Sequence, residues 1–187
     1  MTALTAVYLD FSDHGSYRVW RWLSLLPERH TVDIRPFWTG VTADEPNPWD
    51  RVTPSWSLEL LALAELARET GRDRHECFVD AAFAAVYDAG ADLSDFQGWL
   101  EIGAEAGLDL TRYTTDSDQW RAEVGLWHSE ARDDLGVTGV PSLVFDDDRV
   151  LFVKLDHDVA DPAAAQRLLA DLADLARQPV GEVRRAG

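Results

Sequence analysis

Apolar and polar positions change period several times along this chain. Thr5 to Phe11 is a short apolar run containing Val7, Tyr8 and Leu9, followed by turn chemistry and by an amphipathic stretch from Tyr17 to Leu26 that ends near Pro27. The pattern predicts strand, loop, helix. Thr31 to Trp38 alternates at period two and predicts a second strand, with Pro36 placing its end at a sheet edge or a bulge. A Pro-rich connection from Pro46 to Pro54 then breaks the pattern, and a domain boundary is placed there.

From Ser55 the period becomes helical. Leu58, Leu61, Ala62, Ala64, Leu66 and Ala67 form one face, ended by Gly71, and Glu76 to Ala89 forms another, ended by Gly90. Ser94-Asp95 starts a third helix that runs to Gly107, and Asp116 to Leu135 holds a fourth periodic segment. Beyond this all-helical block, Leu143-Val144-Phe145 and Val150-Leu151-Phe152-Val153 flank an acidic turn and predict an antiparallel hairpin. Asp161-Pro162 caps a last helix through Ala176, with a frayed tail expected from Gln178. The chain holds no internal repeat and no low-complexity segment.

With 187 residues, 46% of them hydrophobic, the chain has enough material for one core. A formal charge of -17 argues against nucleic acid and anionic membrane surfaces as partners. Neither a secretory leader nor an apolar run long enough to span a bilayer is recognised, so a cytoplasmic location is expected. Cys77 is the single cysteine and cannot form an internal disulfide; it is expected as a buried structural thiol. The five histidines make no paired-ligand spacing and Asp146-Asp147-Asp148 lacks the pattern of a calcium loop, so no metal site is expected.

The order strand-helix-strand, helical block, strand-strand-helix is that of a thioredoxin core split by an insertion. Together with Asp10-Phe11 to Trp20, Arg35-Pro36-Phe37, Ala82-Phe83 through Asp95, Ala104 to Asp109 and above all Leu135 to Ser142 with its Gly139-Val140-Pro141 turn, the chain resembles the DsbA-like thioredoxin family. Within it, the likeness is to the cytosolic branch of polyketide-associated dithiol isomerases, hydroxychromene carboxylate isomerases and kappa-class glutathione transferases. The resemblance implies an α/β, thioredoxin-like fold with an all-helical insertion: core at residues 1–54 and 132–187, insertion at 55–131. It also implies a cis bond before Pro141, where the backbone of Val140 would pair with an extended substrate.

In this family the first helix begins at Cys-x-x-Cys, where unpaired N–H groups and the helix dipole stabilise a thiolate. The resemblance puts Asp13 and Ser16 at the two cysteine positions, with His14 and Gly15 between them. Both sulfurs are missing, which excludes ordinary dithiol exchange. Asp13 is read either as a helix cap or as a carboxylate that also acts on a ligand. Ser16, as a hydrogen-bond donor, and His14, as a proton shuttle, are the other candidate catalytic groups. Val140, Pro141 and Trp38 are the candidate ligand-binding residues; most of the eight tryptophans are expected to pack the core, while some, with Trp38, Trp49 and Trp56 nearest, are read as lining the groove expected between core and insert.

The functional expectation is a small-molecule isomerase or thiol-linked transferase acting in that cleft, with a small-molecule substrate or thiol as its partner. A low-molecular-weight thiol is the implied cofactor. The alternative is a non-catalytic thioredoxin-like protein that binds a ligand or partner there. Monothiol chemistry at Cys77 is disfavoured because no helix start activates it. A homodimer is left open.

Overall fold

The computed structural model describes residues 3–42, 48–50 and 55–178. The parts of the Pro-rich connection at 43–47 and 51–54, and the tail beyond 178, lie outside the described residues. The chain runs β1 (Leu4–Leu9), α1 (His14–Leu23), β2 (Asp33–Pro36), α2 (Trp56–Thr70), α3 (Arg72–Phe83), α4 (Phe96–Glu105), α5 (Leu110–Ser129), β3 (Ser142–Phe145), β4 (Arg149–Phe152) and α6 (Pro162–Ala176). The sheet has the order β2-β1-β3-β4: β2 is parallel to β1, and β3 is antiparallel to both β1 and β4.

The sheet is covered on both faces, which is why β1 reads as a nearly continuous apolar run. Val7 and Leu9 share one buried cluster with Leu143 and Phe145, with Trp20, Trp22 and Leu23 of α1, and with Ala165 and Ala173 of α6. Ala6, Tyr8 and Val144 point the other way and join Phe37, Ala131, Val137 and Val140. The first cluster continues without a break into Leu60, Leu63, Phe78, Phe83 and Trp120 of the helical block. Trp22 Nε1 donates to the Ala165 carbonyl at 3.2 Å, which fixes α1 against α6.

Several boundaries differ from the pattern-based reading, α1 among them at His14–Leu23 against Tyr17 to Leu26, and three have a clear local cause. The second strand is only Asp33–Pro36, because Arg29–Thr31 closes a 3₁₀ turn whose last bond runs from Val32 N–H to the Arg29 carbonyl. It is an edge strand, the position its terminal proline tolerates. Helix α3 begins at Arg72; the polar run Arg72-Asp73-Arg74 hides this start from periodicity. Helix α5 begins at Leu110, with the Asp109 carboxylate accepting from Thr111 N–H, and it is kinked at Asp116 (φ −130°, ψ 33°), where the periodic pattern places its start. Both α3 and α5 run on into π-helical turns, Ala84–Ala89 and Glu130–Asp134.

Buried charge in the helical block is paired. Glu59 is fully buried; its carboxylate takes Arg121 Nε at 2.8 Å and the Tyr113 hydroxyl. Glu65 holds Arg68 and the Trp127 indole N–H, and Arg68 reaches across to Asp33 of β2 at 2.8 Å. No helix among the described residues is long and apolar enough to cross a membrane.

Candidate functional site

The turn between β1 and α1 is built on two aspartates with different tasks. Asp10 is fully buried, and its carboxylate accepts four hydrogen bonds: Ser12 N–H and Oγ at 2.8 Å on one oxygen, Thr39 N–H and Oγ at 2.7 Å on the other. It therefore clamps the loop before α1 to the segment that follows β2. Asp13 is the N-cap of α1: its Oδ2 accepts from Ser16 N–H at 2.6 Å and from Ser16 Oγ at 2.9 Å. Ser16 Oγ in turn accepts from Asp10 N–H at 3.2 Å.

Ser16, the candidate catalytic hydroxyl, is placed by the structure inside the turn. Its side chain is 0% exposed, its proton is committed to Asp13 and its lone pair to Asp10, so it tightens the turn. Asp13 satisfies the helix start with the chain's own carboxylate, half-buried, at the place where an attacking thiolate would be stabilised. His14 is exposed. Its ring centroid lies 5.4 Å from that of Tyr87 and 6.0 Å from that of Tyr17, and the two tyrosines stack at 4.7 Å.

The loop before β3 comes directly against this turn. The Val140–Pro141 peptide is cis, and a Cβ placed on Gly15 would stand 3.1 Å from Pro141 Cδ. Asp13, Gly15 and Pro141 thus form one contact, with no room for a side chain between them. Neither the N–H nor the C=O of Val140 takes a backbone partner among the described residues, whereas the Pro141 carbonyl is used by Val153 N–H at 3.0 Å. The Val140 side chain is buried. Phe152, 53% exposed at the end of β4, lies against Gly139 and extends this surface.

Trp38 does not line a groove. It is 1% exposed, its Nε1 donates to Ser57 Oγ at 3.0 Å, and it packs beside Trp49, so it joins the strand segment to α2 as a core residue. Between core and helices, the cavity bounded by Phe11, Pro36, Leu61, Glu65, His75 and Phe83 is about 10 Å³, room for a single water, whereas a pocket of about 230 Å³ lies between Asp33 and Ile34 of β2 and Arg68, Arg72, His75 and Glu76 of the helices. Cys77 is exposed, contrary to the buried thiol expected, because α3 turns Phe78 and Val79 inward and leaves it on the outer face. Among the described residues, no group of three or more His, Cys, Asp or Glu is arranged to hold a metal ion.

Sequence reasoning missed Thr39, Gly15 and Tyr87. Thr39 lies 29 residues from the carboxylate it caps, with no local signal. Gly15 stands at the second position of α1, where its role is visible only once Pro141 is in place. Tyr87 sits on the π-helical turn after α3, and its ring contacts with His14 and Tyr17 place it beside the start of α1; burial first, then the carboxylates of Asp13 and Asp10, push its hydroxyl up to about 12. Asp10 did carry a local signal, since Asp-x-Ser is the spacing of an Asx turn.

The chain matches no known protein-family model and no curated protein. Solved structures do resemble it. A probable DsbA oxidoreductase from Streptomyces coelicolor has a TM-score of 0.59 at 20% identity, over 95% of this chain and 92% of that one. The fold is that of the DsbA-like thioredoxins. A thioredoxin-like oxidoreductase from Silicibacter pomeroyi gives 0.56 at 18% identity, over 95% and 91% of the two chains. The cytosolic disulfide reductase DsbM from Pseudomonas aeruginosa gives 0.58 at 17%, over 91% and 98%. In this DsbA-like fold the site above lies where α1 meets the cis-proline loop, and no cysteine stands at either end of the His14-Gly15 pair.

Proposed function

We propose that this chain is a member of the DsbA-like family that has exchanged dithiol chemistry for ligand binding at the face formed by Asp13, His14, Tyr87, Val140 and Phe152. The observation that carries this reading is the closed hydrogen-bond set at the start of α1: Asp13 Oδ2 holds both Ser16 N–H and Ser16 Oγ, and Ser16 Oγ holds Asp10 N–H. A thiol-linked transferase would keep a thiolate at this place, and here a carboxylate already occupies it. The ligand that suits such a face brings a neutral or cationic group beside Asp13 and the Tyr87 ring, and an extended segment along the free backbone edge of Val140. Binding of this kind needs neither metal nor disulfide.

A second reading keeps the isomerase. It is favoured by one feature: His14 is an exposed imidazole held beside two stacked tyrosines, where it could move a proton on a small aromatic substrate.

The two separate in one series of measurements. A thermal-shift and calorimetric screen uses small thiols, aromatic acids, aromatic amines and extended peptides, followed by turnover assays on every binder. Saturable binding of amines or peptides without turnover supports the binding protein. Turnover lost in His14→Gln supports the isomerase. Tight binding of a thiolate at the start of α1 overturns the first reading.

A further inference from the structure

One buried ionisable group takes no part in the site. His128, on α5, is 5% exposed, and its Nδ1 has no hydrogen-bond partner among the described residues. Phe37 stacks on the ring at 4.2 Å and 24°, and Trp49 meets it at 5.3 Å and 59°. Trp49 also lies over Gly125, where a Cβ would stand 2.9 Å from its indole, and 5.8 Å from Trp38. Gly125 and His128 are one helical turn apart, so one face of α5 forms the socket for Trp49.

His128 therefore joins three segments: α5, the Phe37-Trp38-Thr39 stretch after β2, and the turn Pro48–Asp50 that precedes α2. Thr39 of that stretch holds the Asp10 carboxylate under the candidate site. We propose that His128 is a pH-sensitive latch, whose protonation opens the Phe37–His128–Trp49 stack and loosens the Thr39–Asp10 clamp. The latch stands on the packing alone, whatever ligand the site takes.

A neutral imidazole fits a stack between two uncharged rings. The charged ring carries an N–H on both nitrogens, and the one at Nδ1 would be buried without an acceptor. The charged groups around it do not compensate. Arg132 and Asp133 in the turn after α5 are paired to each other at 2.8 Å and exposed; Glu130 is paired to Arg35 of β2 at 3.0 Å; Asp50, next to Trp49, is exposed. Burial, and then repulsion from Arg132, hold the His128 pKa below the ordinary histidine range, against a smaller opposite pull from Asp133. The attraction of the charged ring to Phe37 and Trp49 is the weaker effect, since both the charge and an unpaired donor must be buried to gain it.

The test is an NMR titration of the full chain from neutral to acid pH, following the histidine Cε1–H signals, the Trp49 indole N–H and the Thr39 amide. His128 should titrate below the ordinary histidine range, with Trp49 and Thr39 moving at the same midpoint. In His128→Phe, which keeps an aromatic ring in the stack, those two transitions should vanish. In Arg132→Gln, an exposed change, the shared midpoint should move up. Separate midpoints, or Trp49 and Thr39 transitions that persist in His128→Phe, overturn the latch. Should His128→Phe not fold, the coincidence of midpoints and their joint shift in Arg132→Gln decide it.

Discussion

Gly15 and Pro141 meet across the two loops that make the candidate site: a Cβ on Gly15 would lie 3.1 Å from Pro141 Cδ and 2.9 Å from Asp13 Oδ2. Alanine would ordinarily favour a helix over glycine by up to about 1 kcal/mol. Here the new methyl would have to displace both the cap and the proline ring, and overpacking of that kind costs roughly 1–3 kcal/mol. Gly15→Ala should therefore lower stability in urea unfolding. A gain in stability would show that the two loops separate freely.

Redox assays give a second check. The purified protein should neither reduce insulin nor oxidise a dithiol peptide, because Asp13 and Ser16 cannot form a mixed disulfide. Cys77 is exposed on the outer face of α3, in the middle of the helix and not at its start. Turnover that survives Cys77→Ser would contradict the reading of the site; turnover abolished by it would assign monothiol chemistry to α3.

The buried Glu59–Arg121 pair, at 2.8 Å, makes a stability prediction in the helical block. Arg121→Met leaves the fully buried carboxylate with only the Tyr113 hydroxyl, and breaking such a pair costs about 3–5 kcal/mol. The double change Glu59→Leu with Arg121→Met removes the stranded charge and should recover much of the loss. A double variant no more stable than Arg121→Met would show that packing of the arginine stem, not its charge, matters there.

What was legible in the sequence follows from how locally each feature is encoded. The Asp13 and Asp161 caps and the hairpin around Asp146 are short-range chemistry, and each stands where its residues indicated. The face of α2 read from the pattern is buried, but so is every other residue from Ser57 to Ala67, Leu60 and Leu63 included, because α2 is surrounded by other elements and not packed on one side only. Exposure of Cys77 was not legible, because a helix face with alanine, cysteine and charge on several sides has no unique inward direction; burial of Ser16 appears only once the turn has brought Asp10 and Asp13 to its hydroxyl. The small cavity under β1 and β2 was not legible either, because Phe11, Leu61, Phe83 and Glu65 converge on it from separate segments of the chain. The cluster around Gly15 is long-range in the same sense, since Pro141 reaches it from the far end of the chain.

His75 predicts acid sensitivity. Burial, and then repulsion from Arg68, depress its pKa to about 3, with Asp33 pulling up and Arg72 pushing further down. Between the ordinary histidine value of 6.5 and about 3, the unfolded chain binds a proton that the folded one does not. Stability contributed by this group is full above 6.5 and falls as pH drops through that window, by at most about 1.4 kcal/mol per pH unit. Urea midpoints across the window should decline less steeply in His75→Leu than in the wild type. Equal slopes would mean that the imidazole is protonated in the folded state.

At Asp13 a cap and an anion block part company. Asn caps a helix about as well as Asp, and the amide oxygen of the Asp13→Asn variant could still accept from the Ser16 N–H, so this change should lose no more than about 1 kcal/mol of stability. The charge is another matter. Asp13 Oδ2 sits at the start of α1 and is engaged only by Ser16, with no Lys or Arg ion pair among the described residues. An anionic ligand approaching that helix start meets a negative charge in the wild type and an uncharged amide in the variant. Asp13→Asn should thus bind a small anionic thiol or carboxylate more tightly, by about 0.3–1 kcal/mol on the helix-terminus scale, and should bind a cationic amine more weakly. Calorimetry of both proteins with one anion and one amine reads both arms. Equal affinities for the two ligands in both proteins would reduce Asp13 to a cap and remove charge selection from the proposed site.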